Sequence, residues 1–520
     1  MCNTDNTNRR DPNVTRVIIA GAGPAGLLLS ALLLQRNDEN ANAAASSSAP
    51  SPRNRRRYSV TLVDSRQDLG LVPPDELAAN HRSWMIGLAG HGLNALREVP
   101  ELYNDYVDGV GVLLKSLSIH LGSKEMKQTA DGSGNDGEGY IVDRNFVVAA
   151  MGRYLNERKQ SGDGDERYFR SRYGTSVQYV DGENRRVLLR CGETKVEEYE
   201  EYDLLVGCDG IRSVVREALT QRHRDFEVSV SDIFSEFKAV HVPCPKGVDP
   251  ASLHLLPAVF PMCQGIALPE TGNQLNISVG VPRHKFATIA PELLSDDPEV
   301  LANYVKENFK AFELEDYNDF ARQWIGQGWN RTGQVHCNFY HSNPLGIVIM
   351  GDAAHATSPA IGMGMNTALR DAQAFYRLLG ENNDDLDRTL PAFSGERVRE
   401  GNSLTDLAMN LYCVEEGPQL RESVHMVTRI TLHKWFPRLI SEHPQSMIGQ
   451  SKYELSDVYE KAVSLGIMSK HRRINDRVRQ EHFEAGVGMV KKDGGGGGGR
   501  AIWAVALGGL VTAGAWAYTM

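Results

Sequence analysis

Short apolar runs that stop at glycine set the rhythm of this chain. Val17, Ile18, Ile19 and Ala20 predict a buried strand, and Gly21-Ala22-Gly23-Pro24-Ala25-Gly26 follows at once. Leu27, Leu28, Leu29, Leu32, Leu33 and Leu34 then make a helix that is apolar on almost every side. Such a helix belongs between a sheet and a second layer. Two more apolar runs, Tyr202–Val206 and Leu345–Met350, each lead into a glycine and an acid. Between them Leu275–Val279 alternates, which predicts an antiparallel strand. From about Leu386 to Val487 the spacing is mostly helical.

Three stretches interrupt the rhythm. Asn37 to Arg57 has no apolar side chain larger than alanine, cannot build a core, and predicts a disordered surface insertion. Its basic run, Arg53, Arg55, Arg56 and Arg57, reads as a solvated loop, and a strand resumes at Tyr58–Asp64. Asp131–Gly139 is rich in glycine and acid and predicts a loop or hairpin tip. Near the end, Gly494–Gly499 predicts a flexible linker, and the 20 residues Ala501–Met520 carry no charge.

Composition narrows the functional classes. A net charge of −10 argues against nucleic acid as a partner, since phosphate binding needs a concentrated basic surface. The seven cysteines are widely spaced, with no CxxC pair. They predict reduced thiols, no disulfide frame and no metal site. Residues Met1–Val14 are polar and lack the apolar core of a secretory signal.

The chemistry lies where the strands end. In Gly21-Ala22-Gly23-Pro24-Ala25-Gly26, Gly21 permits a tight turn, Gly23 lets backbone approach a pyrophosphate, and Gly26 allows close helix packing. Such a dinucleotide site also needs an acid roughly 20 residues on, to hold ribose hydroxyls. Asp64 lies 38 residues beyond Gly26, and residues 37–57 account for the excess. The second motif is Gly207-Cys208-Asp209-Gly210, followed by Arg212 and Arg216. The third is Gly351-Asp352-Ala353-Ala354-His355, with Gly362-Met363-Gly364-Met365-Asn366 beyond it. Here an acid at a strand end can bond a ribityl hydroxyl. The following helix N-terminus can set positive potential against a reduced flavin.

These three motifs, in this order, resemble those of the single-component FAD-dependent aromatic hydroxylases. A plain nicotinamide dehydrogenase would carry only the first. Within that family the chain is similar to the kynurenine 3-monooxygenases from about Val17 to about Val463. The similarity is carried by Arg82-Ser83, Asp143-Arg144-Asn145, Asp203–Gly210, Ile266–Pro269, the GDAAH segment through Asn366, Leu390–Ser394 and Asp406–Met409. It implies FAD contacts at Arg144, Asp209, Gly210, Asp352, Gly364, Met365, Asn366 and Gly87. It also implies NADPH and O2 as co-substrates and no obligatory side-chain base, so no catalytic residue is assigned. In that family an arginine pairs with the substrate carboxylate. The corresponding stretch here, Leu113–Ile119, offers Lys115 and Leu117 instead. Lys115 and Tyr412 are the substrate candidates, and His254 is a further pocket candidate. His355 is expected to pack or hydrogen-bond more than to move protons.

At about 1.5 Å per residue, a helix over Ala501–Met520 would just cross a bilayer core. Trp503, Trp516 and Tyr518 near its ends suit an interface, and Lys491, Lys492 and Arg500 would stay cytosolic. The expectation is a tail anchor with the catalytic part facing the cytosol. The resemblance points to the mitochondrial outer membrane, with the endoplasmic reticulum as the alternative.

The reading is an α/β protein. A Rossmann-like FAD-binding region over 14–230, with part of 80–140 lent to the substrate domain, is completed by 345–385. A mixed substrate sheet over 231–344, helices over 386–490, a linker over 491–500 and the anchor make up the rest. The expected activity is hydroxylation of a kynurenine-like aromatic compound. The alternatives are an FAD-dependent epoxidase acting on a lipid or isoprenoid, and a membrane-tethered flavin-binding protein without turnover.

Overall fold

In the computed structural model, residues 11, 13–46, 56–81, 83–129, 139–160 and 168–486 are described. The first apolar run forms β1 (Val14–Ala20), central in a six-stranded sheet ordered β18-β19-β12-β1-β2-β8. Its neighbours are β2 (Arg57–Asp64) and β12 (Leu204–Gly207), both parallel to it. β8 (Phe169–Tyr173) and β19 (Ile347–Ile349) extend the parallel core, and the short β18 (His341–Ser342) closes the edge antiparallel.

The leucine-rich segment forms α1 (Pro24–Ser46), whose Leu27, Leu28, Leu29, Leu32, Leu33 and Leu34 are fully buried. They share one core with α2 (Arg144–Gln160) and with the helix over Gly364–Glu381. An all-round apolar helix is stable only where protein covers every side.

A correction concerns the insertion. Residues 37–46 are not disordered but continue α1. Asn37 and Asn40 are buried: Asn37 Nδ2 donates to the Tyr58 carbonyl (2.9 Å), its Oδ1 accepts from Tyr58 N (2.7 Å), and Asn40 Nδ2 donates to the Arg56 carbonyl (3.0 Å). Composition alone misses this because the asparagines bond the incoming strand instead of packing apolar surface. Arg56 also departs from the solvated reading, as its guanidinium donates to the Asp384 carbonyl at 2.5 Å. Residues 47–55 lie outside the described residues, as do most of the loop at 131–139, the linker, and the expected anchor over Ala501–Met520. Among the described residues, no helix is long and apolar enough to cross a membrane.

The second large sheet has seven strands, ordered β17-β13-β16-β15-β14-β5-β6. They are β5 (Ser116–Leu121), β6 (Lys124–Thr129), β13 (Val228–Pro243), β14 (Ser252–Phe260), β15 (Cys263–Glu270), β16 (Gln274–Pro282) and β17 (Asn330–Cys337). Only β14 and β5 pair in parallel. Leu275–Val279 lies in β16, antiparallel to β13 and β15.

One face of this sheet packs under α3 (Pro298–Asn308) and α4 (Tyr317–Ile325). The other meets a small antiparallel sheet of β3 (Met85–Leu88), β7 (Tyr140–Asp143) and β4 (Val112–Leu113). A third antiparallel unit, β9 (Thr175–Asp181), β10 (Arg186–Cys191) and β11 (Glu197–Glu201), completes the strands. The helical spacing after Leu386 becomes α5 (Leu386–Asn410) and four shorter helices, of which Pro444–Met447, Leu455–Ser464 and Ile467–Gly486 build a separate apolar cluster with α5.

Candidate functional site

The site forms where β1, β12 and β19 end side by side. The β1 end is shaped by steric necessity. Gly21 has φ +108°, and a Cβ there would stand 2.1 Å from the Cys208 carbonyl oxygen. A Cβ on Gly26 would stand 2.0 Å from the Gly21 carbonyl oxygen. Gly23 is different, because a Cβ there would meet nothing within 4 Å. The loop made of Gly21, Ala22, Gly23, Pro24, Ala25 and Gly26 therefore leaves open space above Gly23, at the N-terminus of α1, where the dipole favours an anion.

Asp64 closes β2 beside this loop. Its Oδ2 accepts from Ala22 N at 2.7 Å, and it pairs with Arg66 at 2.9 Å. Burial pushes this carboxyl up, but Arg66 and two backbone N–H groups outweigh it and hold the pKa below the usual value.

At the end of β12, Asp209 caps the helix Val214–Arg222 by accepting from Val214 N at 2.7 Å. Its second oxygen, Oδ1, is buried without a partner, and burial raises the carboxyl pKa. Gly210, at φ +78°, faces open space. Arg216, from the same helix, donates to the Ala353 carbonyl (2.8 Å) and the Ile211 carbonyl (2.6 Å), tying the second motif to the third.

The third motif rests on a buried ion-pair network that sequence reasoning missed. Gly351 N donates to Asp371 Oδ2 (2.8 Å), His355 Nε2 meets the same oxygen (2.6 Å), and Arg397 Nε donates to Oδ1 (2.7 Å). Asp371 comes from the helix Gly364–Glu381 and Arg397 from α5, so no spacing in the sequence links them to the GDAAH residues. Despite burial, His355 and Arg397 hold the Asp371 carboxyl down at about 2. Asp352 is solvent-accessible at the strand end, yet protein encloses it at longer range. That desolvation raises its pKa against the pull of His355 and Arg144.

Arg144 opens α2. Its guanidinium lies 5.5 Å from the Trp84 ring centroid, and its Nε is buried without a partner. Burial, and then Arg66, lower its pKa, while Asp352, Asp143 and Asp64 act in the opposite sense. A half-buried cation without a bonded anion, within electrostatic reach of Asp352 and of Asp64 at the glycine loop, fits a bound anionic dinucleotide.

The helix Gly364–Glu381 starts with Gly364, Met365 and Asn366. Asn366 is fully buried: its Oδ1 accepts from Ala89 N (2.9 Å), and its Nδ2 donates to Gly87 O (2.9 Å) and Gly362 O (3.2 Å). The side chain locks the helix start to β3, which leaves only backbone for a flavin. Met365 is buried in the same core.

The substrate candidates separate. Lys115 is exposed between β4 and β5. Tyr412 lies in the C-terminal cluster that includes Ile361 and Met363 of the loop before Gly364, and its hydroxyl donates to Gln445 Oε1. His254 belongs to neither group, since it sits on the sheet face under α3 and α4, against Phe312. The opposite face is aliphatic: Leu117, Leu253, Leu255 and Leu268 pack with Met85 and Ile141. Trp84 and Phe237 pair at 5.5 Å nearby, and Trp84 is the ring beside Arg144.

Residues 146–406 match the profile of the FAD binding domain family. The chain is 26% identical over 408 residues to kynurenine 3-monooxygenase of Sus scrofa, covering 76% of each chain. It is 24% identical over 485 residues to the Cryptococcus neoformans enzyme of the same name, covering 83% and 84%. Among solved structures, 2-methyl-3-hydroxypyridine-5-carboxylic acid oxygenase superposes with a TM-score of 0.54 at 18% identity, over 76% of this chain and 90% of that one. PqsL of P. aeruginosa in complex with 2-aminobenzoylacetate gives 0.52 at 18%, over 77% and 96%. At such identities the superpositions speak for the fold.

Proposed function

From the premise that this chain belongs to the FAD binding domain family and is an FAD-dependent monooxygenase, we propose that it uses NADPH and O2 to hydroxylate a kynurenine-like aromatic compound. Bound FAD would supply the redox chemistry, taking reducing equivalents from NADPH and activating O2. The chain's own residues do the holding. The Gly21–Gly26 loop and the N-terminus of α1 take the pyrophosphate, and Asp64 takes the ribose. Asp209, Asp352 and Arg144 converge on the remainder, with the backbone of Gly364–Asn366 facing the ring. Arg144 is the observation that carries the cofactor assignment: a half-buried guanidinium with an unpartnered Nε calls for an anionic partner.

Trp84 and Phe237, paired at 5.5 Å with Trp84 beside Arg144, support a planar aromatic substrate next to the cofactor residues. A second reading, oxidation of a lipid or isoprenoid, is favoured by the exposed Lys115, which leaves the Leu113–Ile119 stretch without a buried cation to pair with a carboxylate. NADPH oxidation by the flavin-loaded protein, with and without L-kynurenine, separates the two. Stimulated oxidation with a product heavier by one oxygen is expected. Bound flavin with no stimulation by L-kynurenine would overturn the first reading in favour of the second.

We also propose that Ala501–Met520 anchors the protein in a membrane, the mitochondrial outer membrane or the endoplasmic reticulum. Membrane retention of the full chain after alkaline extraction, and its loss on truncation after residue 490, is the expected result.

A further inference from the structure

The face of the seven-stranded sheet turned away from the aliphatic wall carries two imidazoles with no part in the flavin site. His120 and Glu125 are directly opposed across the β5–β6 hairpin, so their side chains share one face. β14 pairs in parallel with β5 through His254 and Ser118, and Ser118 is two residues from His120. The register therefore places His120, Glu125 and His254 on the same face. Ligand atoms of all three lie within 4.8 Å of one another. His120 Nε2 and His254 Nδ1 are 3.0 Å apart.

The outward nitrogens say which inward atoms carry lone pairs. His254 Nε2 stands 2.9 Å from the Asp249 carbonyl oxygen, which can only accept, so the proton of that ring is outward. His120 Nδ1 is buried and closes no hydrogen bond of ordinary geometry. In the metal-free protein His120 Nε2–H donates to His254 Nδ1 at 3.0 Å; moving the His120 proton outward to Nδ1 frees both inward nitrogens to act as ligands. An outward N–H given to a main-chain carbonyl is also the usual support for a metal-bound histidine.

We propose that His120 Nε2, His254 Nδ1 and the Glu125 carboxylate bind a divalent transition metal, zinc by ligand type, with a fourth position left to water. A tetrahedral zinc with bonds of about 2.0–2.1 Å holds its ligand atoms about 3.3 Å apart, which the histidine nitrogens nearly meet. Glu125 is exposed and needs only a rotamer change to close the set. The ion cross-links the edge hairpin β5–β6 to β14, on the side of the sheet opposite Leu117, Leu253 and Leu255. Its role is to hold the sheet edge, remote from the flavin.

The test uses untagged, FAD-loaded full-length protein, stripped with a chelator and titrated with Zn²⁺ against a chromophoric competitor, alongside elemental analysis. One equivalent per chain is expected, and Co²⁺ should give four-coordinate ligand-field bands at wavelengths beyond oxidised flavin. Glu125→Gln should weaken binding by about 10-fold or more. His254→Gln should abolish it, with flavin absorbance reporting that the chain remains folded. Less than a tenth of an equivalent in the unaltered protein overturns the proposal. So do unchanged Zn²⁺ affinity and an unchanged Co²⁺ spectrum in Glu125→Gln, a surface change that leaves the fold intact.

Discussion

The two large sheets carry their chemistry in different places. In the six-stranded parallel sheet it sits at the strand ends and is made mostly of backbone: the Gly21–Gly26 loop, Gly210, and the helix that starts at Gly364. In the seven-stranded sheet it sits on the faces and is made of side chains, with leucines on one side and imidazoles on the other. A backbone site tolerates almost no change at its tight points, because the clash is with main chain. A side-chain face tolerates exchange, because neighbours can repack. That difference explains how one cofactor region can serve many substrates.

The sharpest test of the comparison is a pair of alanines in one loop. Gly21→Ala, with its Cβ 2.1 Å from main chain and φ at +108°, should yield little soluble flavoprotein on size-exclusion chromatography. Gly23→Ala, with nothing within 4 Å of its Cβ, should fold normally and lose FAD on dialysis. Equal folding of the two would break the claim that Gly21 is fixed by sterics and Gly23 by the ligand.

Next comes the support beneath the third motif. Arg397→Met leaves Asp371 as a buried, half-paired carboxylate and should cost about 3–5 kcal/mol in denaturant unfolding. The pH dependence has a definite sign. With the Asp371 pKa depressed to about 2, its ion pairs contribute fully above the ordinary carboxylate value, and the contribution fades as pH falls toward 2. Asp371→Asn should flatten acid unfolding over that window.

Arg144→Met removes a half-buried cation held in the protein by a long hydrogen bond to Asn145 Oδ1 (3.4 Å) and by the Trp84 ring. The apoprotein should keep its melting temperature, while FAD binding weakens by about 10- to 100-fold, the worth of a hydrogen bond to a charged group of about 1.5–3 kcal/mol. Fluorescence titration with FAD reads it directly. The smallest effect is expected at Lys115→Ala. An exposed side chain away from the wall should change KM for L-kynurenine by no more than about 0.5 kcal/mol in equivalent terms.

Much of the cofactor region was legible because its constraints are local. Glycines at fixed offsets after a strand, and an acid where the next strand ends, lie within one supersecondary unit. Asp64 fell into place once residues 37–57 were set aside, although ten of those residues proved helical. What stayed hidden joins distant segments. Asp371 and Arg397 look like ordinary helix residues until the fold brings them under Gly351. His120 and His254 are separated by 134 residues, so no metal-ligand spacing could announce them. The motif marks Asn366 as a flavin contact, and what it does not announce is that the side chain ties the helix start to β3.

The long α1 has a consequence for engineering. Asn40 Nδ2 holds the Arg56 carbonyl at 3.0 Å, so both ends of the stretch between them are already fastened together. Material inserted there adds to a closed ring of chain and not to the span between two core elements. Each doubling of such a ring costs only about 0.6 kcal/mol of closure entropy. Residues 47–55 are therefore the place to graft an epitope or a fluorescent reporter while leaving β1, β2 and the flavin site in register.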